Sequence, residues 1–195
     1  LWGSFVATPP DDGTRAELER LYRADFQVRP LLGAILRHPA FYEGPRMVKP
    51  PVVYLAGLLR GLGRPVDTQS WAWLGTMSGQ RLFYPPDVSG WDDSRWLDTA
   101  TFRGRWSIAN DALRPFSLTE RTGPKVPNDP EAIVTGALRV VGDPTIRPQT
   151  RELLLRFARD ALADARSGWK ARSYPPLVAN AVRQLLVTSP DYQTC

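Results

Sequence analysis

The segment PVVYLAGLLRGLG, Pro51–Gly63, spaces Val52, Leu55, Ala56, Leu59 and Leu62 at three- and four-residue intervals. That spacing lays one apolar stripe along one face of a helix, opened by Pro51 and left through Gly61 or Gly63. The same period, cut by prolines and glycines, recurs along the chain. No segment of useful length alternates apolar and polar residues as a half-buried strand would. The pattern predicts an all-α protein, an irregular multi-helix bundle of about eight helices with one long Pro/aromatic loop. A hydrophobic content of 43% with seven Trp supplies a sizeable core. No run of about 18 apolar residues occurs, so no membrane-spanning helix is expected.

Other helices follow from the same spacing. RAELERLYRADF places Leu18, Leu21 and Tyr22 on one side, and LLGAILRH is closed by Pro39. DTQSWAWLGTMSGQ directs Trp71, Leu74 and Met77 inward, and WLDTATFRGRWSIANDAL carries Leu97, Phe102, Trp106, Ile108, Ala109 and Leu113. Asp129-Pro130-Glu131 opens another helix with a cap, a proline and an acid at the positive end of the dipole. RPQTRELLLRFARDALADARSG is expected to be the longest, burying Leu154, Phe157, Ala158, Ala161 and Ala165, with Gly168 ending it. PPLVANAVRQLLVTSP closes the chain with Leu177, Ala181 and Leu185 inward. The polar, Pro/Gly/Thr-rich stretch 116–129 reads as a linker. It separates an N-terminal helical part, 1–115, with the aromatic loop 79–97, from a three-helix part, 130–195, packed on it as one domain.

Several function classes lack their residues. The net charge is +5, but only Lys49, Lys125 and Lys170 of the 25 basic residues are lysines. That bias is what Arg codons in a GC-rich genome produce. The arginines are dispersed and interleaved with acids, unlike a phosphate-tracking groove, so no nucleic-acid partner is expected. The single histidine, His38, precedes a proline at a helix end, where an imidazolium favourably meets the carbonyl terminus. A catalytic role for it is the outside alternative, and no His-rich metal site can form. The single cysteine, Cys195, is the last residue, so there is no intrachain disulfide and no CxxC motif. Gly61-Leu62-Gly63 lacks the context of a phosphate-binding loop. No catalytic residue, metal or cofactor is assigned.

The loop GQRLFYPPDVSGW, Gly79–Trp91, poses the functional question. Asp87, Asp92, Asp93 and Asp98 are interleaved with Trp91 and Trp96. Paired carboxylates beside aromatic platforms suit glycoside chemistry, and carboxylate oxygens suit Ca²⁺. Against this, Asp93 or Ser94 suits a turn cap and Asp98 a helix cap. Arg81, Phe83, Tyr84, Trp91, Arg95, Trp96, Arg103, Arg105 and Trp106 form an aromatic–arginine group. Either its rings fold inward as a plug lidded by arginines, the preferred expectation, or they wall an open cleft. The ligand-binding candidates are Asp87, Trp91, Asp92, Arg95 and Trp96, with His38 and Lys49 outside them.

Phe41, Lys49-Pro50, Arg60, Leu62-Gly63, Gly79-Gln80, Pro85-Pro86, Gly90-Trp91, Trp96-Leu97, Arg105 and the closing SPDYQ carry a resemblance. Their order is similar to the C-terminal half of a bacterial family known as domain of unknown function 1800. The similarity covers nearly the whole chain, and the Gly-Gln to Gly-Trp block is its most specific part. Family members extend further at the N-terminus, so the resemblance implies a C-terminal piece of a longer protein, as does a first residue, Leu1, that is not Met. Many members resemble exported bacterial proteins, which implies an exported or periplasmic location without fixing it. No activity comes with the family. The expected function is a helical scaffold or partner-binding module, its partner a protein, either its own N-terminal half or another chain. Two alternatives stand beside it: a carbohydrate-binding or polysaccharide-processing protein using the Asp/Trp loop, and part of an enzyme whose catalytic groups lie in a missing N-terminal half.

Overall fold

The computed structural model describes residues 1–163, 165 and 167–195. It is all-α, and among the described residues the only β pairings are two isolated bridges, Val48 with Thr194 and Asp87 with Gly90. The chain folds as two compact units, Leu1–Met47 and Val48–Cys195.

The first unit contains α1 (Asp12–Asp25), α2 (Val28–Arg37) and α3 (Pro39–Glu43). Asp11 starts α1 by accepting the Thr14 amide at 2.7 Å, so the Asp-Asp-Gly turn of the sequence is also a helix cap. Phe26, in the left-handed region at φ 50°, ends it. Val6 and Ile35 are the buried apolar residues of this unit. His38 caps in the direction opposite to expectation. Its Nδ1 accepts the Ala40 amide at 3.2 Å, opening α3, while its ring lies edge-on to Trp2. The side chain therefore serves as the N-cap of α3 and does not reach the carbonyl end of α2.

The second unit holds α4 (Pro51–Gly61), α5 (Ser70–Met77), α6 (Thr99–Leu113), α7 (Pro130–Val140), α8 (Pro148–Ala163), α9 (Gly168–Thr188) and α10 (Pro190–Gln193). α6 packs against α4, α5 and α9, while α7, α8 and α9 pack on one another. α6 thus joins the α4–α5 pair to the three-helix group. The segment 116–129 lies inside this unit. There the Leu118 amide donates to Asn180 Oδ1 at 2.9 Å, and the Asn180 amide returns a bond to the Leu118 carbonyl at 2.8 Å.

The buried faces are close to expectation but rotated. On α4 the inward set is Tyr54, Leu55, Leu58 and Leu59, followed by Leu62. Ala56 is exposed, since the buried stripe runs through Tyr54 and Leu58 on its other side. On α6 Ile108, Ala109 and Leu113 are buried as expected, but Trp106 is 45% exposed, Leu97 just before the helix is 40% exposed, and Gly104 and Arg105 take inward positions. A Cβ on Gly104 would stand 2.7 Å from Met77 C and Ser78 N, so α5 and α6 meet backbone to backbone, with no room for an indole.

The longest helix is α9, not α8. It begins at Gly168 and runs through Pro175 and Pro176, both buried, instead of starting at them. Each proline removes one backbone donor, and the apolar contacts of the rings offset that loss. Starting the helix early turns the face. Val178, Ala179, Val182 and Leu186 are buried, whereas Leu177 is 58% exposed. On α8, Leu154, Leu155, Ala158 and Leu162 point inward and Phe157 does not, and Ala165 beyond it is buried as expected. The expected C-terminal turn of this helix, across Asp164 and Arg166, lies outside the described residues.

The start of α8 is held by the end of the chain. The Asp191 carboxylate, whose side chain is fully buried, accepts the Arg147 amide at 2.8 Å and the Arg147 Nε at 2.7 Å. Burial alone would raise its pKa. Hydrogen bonds from the Thr150 side chain and from the Arg147 amide and guanidinium outweigh burial and hold it below the ordinary 3.8. A carboxyl group with a depressed folded pKa stabilises the fold above its unfolded value and loses that contribution as pH falls through the folded one. We expect Asp191→Asn to cost about 2–3 kcal/mol at neutral pH. The gap to the parent chain should close progressively below the ordinary carboxylate value of 3.8. Urea unfolding from acid to neutral pH reads both.

Candidate functional site

The loop between α5 and α6 is fastened at both ends. At its start Gly79, at φ 95°, turns the chain out of α5, a conformation that glycine adopts at little cost. Gln80 then turns back, its side-chain Oε1 accepting the Val52 amide at 3.1 Å, and so caps α4. At its far end Asp98 opens α6, accepting the Thr101 amide at 2.8 Å, and the Thr101 hydroxyl donates to the Arg95 carbonyl at 2.7 Å. The Trp96 carbonyl is bound by Arg105 Nε at 2.9 Å.

Between these fastenings the loop is built of short turns. Asp87 accepts the Ser89 amide at 2.8 Å and also the Ser89 hydroxyl. Asp92 accepts the Ser94 amide at 3.1 Å at the entry to a 3-10 turn, Asp93–Arg95. Hydrogen bonds from the Ser89 hydroxyl and amide lower the Asp87 pKa, and those from the Thr101 amide and hydroxyl lower that of Asp98. Carboxylates held ionised by their own turns are poor general acids. Arg95 is 71% exposed and approaches Asp98 at 3.5 Å, a surface pair of small energetic weight. Among the described residues no three His, Cys, Asp or Glu side chains stand close enough to hold a metal ion.

Of the five ligand-binding candidates, Asp87, Asp92 and Arg95 are exposed, while Trp91 and Trp96 are half-buried. The indole N–H groups of both tryptophans are buried without a hydrogen-bond partner. The inward plug expected of the loop forms only at its base, where Trp91 and Trp96 are half-buried, and not at its tip. Phe83 is 94% exposed, Tyr84 64% and Val88 fully, with Leu82 also exposed. Phe83 sits in the left-handed region at φ 59°, in a turn closed by the Tyr84 amide on the Arg81 carbonyl at 3.2 Å. Sequence reasoning placed Phe83 and Tyr84 among the aromatics of the loop but not among its contact residues. The signal available was the pairing of turn-forming Asp87-Val88-Ser89-Gly90 with Pro85-Pro86, which projects a loop tip from its base.

Behind the loop lies the largest fully buried side chain among the described residues. Arg105 has no exposed surface. Its Nε bonds the Trp96 carbonyl, Nη1 the Gln193 Oε1 at 2.9 Å and Nη2 the Lys49 carbonyl at 2.7 Å, with its guanidinium 5.4 Å from the centre of the Tyr54 ring. Burial draws its pKa down to about 10, with Tyr54 partly opposing, so it stays charged at neutral pH. Burial also raises the Tyr192 pKa to about 12 and that of Tyr54 further. Lys49, the other outlying candidate, belongs to this framework. Its amide donates to the Gln193 carbonyl at 2.9 Å and its Nζ to the Tyr192 carbonyl at 2.8 Å.

These features define an all-α protein whose terminal segment, second-unit entry and aromatic loop converge on one buried arginine. The chain belongs to the family described as protein of unknown function, DUF1800, whose model matches residues 1–194. No curated protein matches it, and no solved structure does.

Several positions that carry the family resemblance, Lys49-Pro50, Gly79-Gln80, Trp96, Arg105 and Asp191 to Gln193, supply the loop fastenings and the arginine framework. We expect Arg105→Lys to cost about 2–4 kcal/mol, because an ammonium cannot reach three acceptors in fixed directions and leaves buried carbonyls unpaired. Chemical unfolding measures the loss, and amide exchange across 79–97 should accelerate with it.

Proposed function

We propose that the chain is a helical partner-binding module and that the tip of the loop 79–97 is the element that meets a partner protein. The observation that carries it is the outward placement of Leu82, Phe83, Tyr84 and Val88 on a loop whose two ends are tied to helices. Each large apolar side chain kept in water forgoes about 1.5–3 kcal/mol that burial would give. A contiguous set of them on a fastened loop is the pattern of an interaction surface. Arg81 stacks on Tyr84 at 4.3 Å, and Tyr, Phe and Arg together are the residue types enriched at the centres of protein interfaces. In this reading Asp87, Asp92 and Arg95 shape the loop through their turns, and Trp91 and Trp96 seat its base.

A photo-crosslinking residue placed at position 83 of the full-length protein, in cells of its source organism, tests this. Val66, 75% exposed outside the loop, serves as the control position. A discrete protein adduct from position 83, absent from position 66 and lost on Tyr84→Ala, is the expected result. Equal labelling at both positions, adducts with lipid or glycan, or no adduct at position 83 overturns it. Phe83→Ala should leave the unfolding midpoint within about 1 °C of the parent, since the ring contributes little to the fold.

A further inference from the structure

The second arginine of the core differs from the first in how its nitrogens are used. Arg183, on α9, is 9% exposed. Its Nη1 donates to the Phe116 carbonyl at 3.0 Å and to Asn180 Oδ1 at 2.9 Å. Its Nε is buried with no hydrogen-bond partner, and among the described residues no carboxylate pairs with the side chain. Burial alone lowers its pKa, with no acid close enough to oppose it. Asn180 Oδ1 serves Nη1 alone and cannot swing to Nε, because both ends of its amide are also committed to the Leu118 backbone. A guanidinium taken out of water without a counter-charge is costly unless something negative completes it.

That side chain lines a cavity of about 160 Å³. Its walls are Trp106, Asn110 and Leu113 from α6, Phe116 and Ser117 from the turn that follows, and Gln184 beside Arg183 on α9. Trp106, Leu113 and Phe116 give apolar surface, and Asn110 and Ser117 add polar groups. The Trp106 ring, unexpectedly exposed for α6, stands on this wall. The Gln184 amide donates to the Trp106 carbonyl at 3.2 Å and links the two walls. A cavity of about 150 Å³ is large enough to hold a benzene-sized molecule.

We propose that this cavity is a binding site for a small organic carboxylate, one of its oxygens on Arg183 Nη2 and its apolar remainder against Trp106, Leu113 and Phe116. Nε is buried out of reach, so the nitrogen left for a carboxylate oxygen is Nη2, and Nη1 is already fixed by two acceptors, which holds the plane still. One cation against one anion balances the charge, which favours a monoanion over a phosphate. The site is independent of the loop tip and shares no residue with it.

Benzoate is the probe, with benzamide as its neutral counterpart and inorganic phosphate as the alternative anion. The indole N–H resonances of the ¹⁵N-tryptophan-labelled chain report binding at constant ionic strength, that of Trp106 identified by its loss in Trp106→Phe. The expected result is a saturable shift of the Trp106 signal by benzoate, at least about tenfold tighter than by benzamide or phosphate. Arg183→Lys should weaken it at least about tenfold, since one ammonium nitrogen cannot hold the Phe116 and Asn180 oxygens and also reach the carboxylate from the Nη2 position. Asn110→Phe narrows the exposed side of the cavity while sparing every bond of Arg183, and should weaken benzoate comparably if Arg183→Lys proves unfolded. No saturable shift below about 50 mM, equal response to benzamide, tighter binding of phosphate, or indifference to Asn110→Phe overturns the assignment.

Discussion

A single buried guanidinium holds together three parts of the chain that are far apart in sequence. Arg105 reaches residues 9, 56 and 88 positions away, namely Trp96 at the loop's end, Lys49 at the entry to α4 and Gln193 near the terminus. Each of those partners is tied a second time. Gln193 donates through Nε2 to the Val187 carbonyl at 2.8 Å and accepts the Lys49 amide on its own carbonyl, while Thr194 bridges to Val48. The cation is accepted by oxygens of neutral groups, each oriented by a neighbouring element. Its desolvation is met by dipoles that are already in place, so charge is balanced without an acid in the core.

That arrangement explains why the terminal SPDYQ segment matters to the middle of the fold. Asp191 holds the start of α8, the Tyr192 ring meets Tyr54 edge to face with centres 6.1 Å apart, and Gln193 completes Arg105. Three consecutive side chains on one short helix therefore reach α8, α4 and α6. The geometry needs close backbone approach, and Gly61 provides it. A Cβ there would stand 2.6 Å from the Val141 carbonyl oxygen, so α4 and the end of α7 touch only because that residue has no side chain.

Much of the helical framework was legible in the sequence because its signals are local. Asp98 and Asp129 open helices through their side chains, Pro51 and Pro130 occupy first turns, and Trp71 and Leu74 are buried where spacing placed them. What local pattern could not convey was rotation about a helix axis and the use of a proline pair. α9 keeps its course through Pro175-Pro176 because tertiary packing outweighs two missing donors, and its inward face shifts by about one residue as a result. The direction of the loop rings was equally non-local. It depends on how the loop's two ends are tied to α4 and α6, through Gln80 to Val52 and through Trp96 to Arg105, and nothing within GQRLFYPPDVSGW announces those partners.

The two buried arginines separate framework from candidate chemistry more clearly than any motif does. Both are on long helices, both are at most 9% exposed, and neither has a carboxylate partner among the described residues. Arg105 nevertheless places all three nitrogens on oxygen acceptors, whereas Arg183 places only Nη1. Periodicity treats both positions as polar interruptions of an apolar face, and composition counts them with the other arginines. Only the accounting of donors against acceptors tells them apart, because a buried guanidinium must find its partners within the protein or beyond it. At Arg105 the protein supplies them from three segments; Arg183, with Nη1 alone bonded, lines an aromatic-walled cavity.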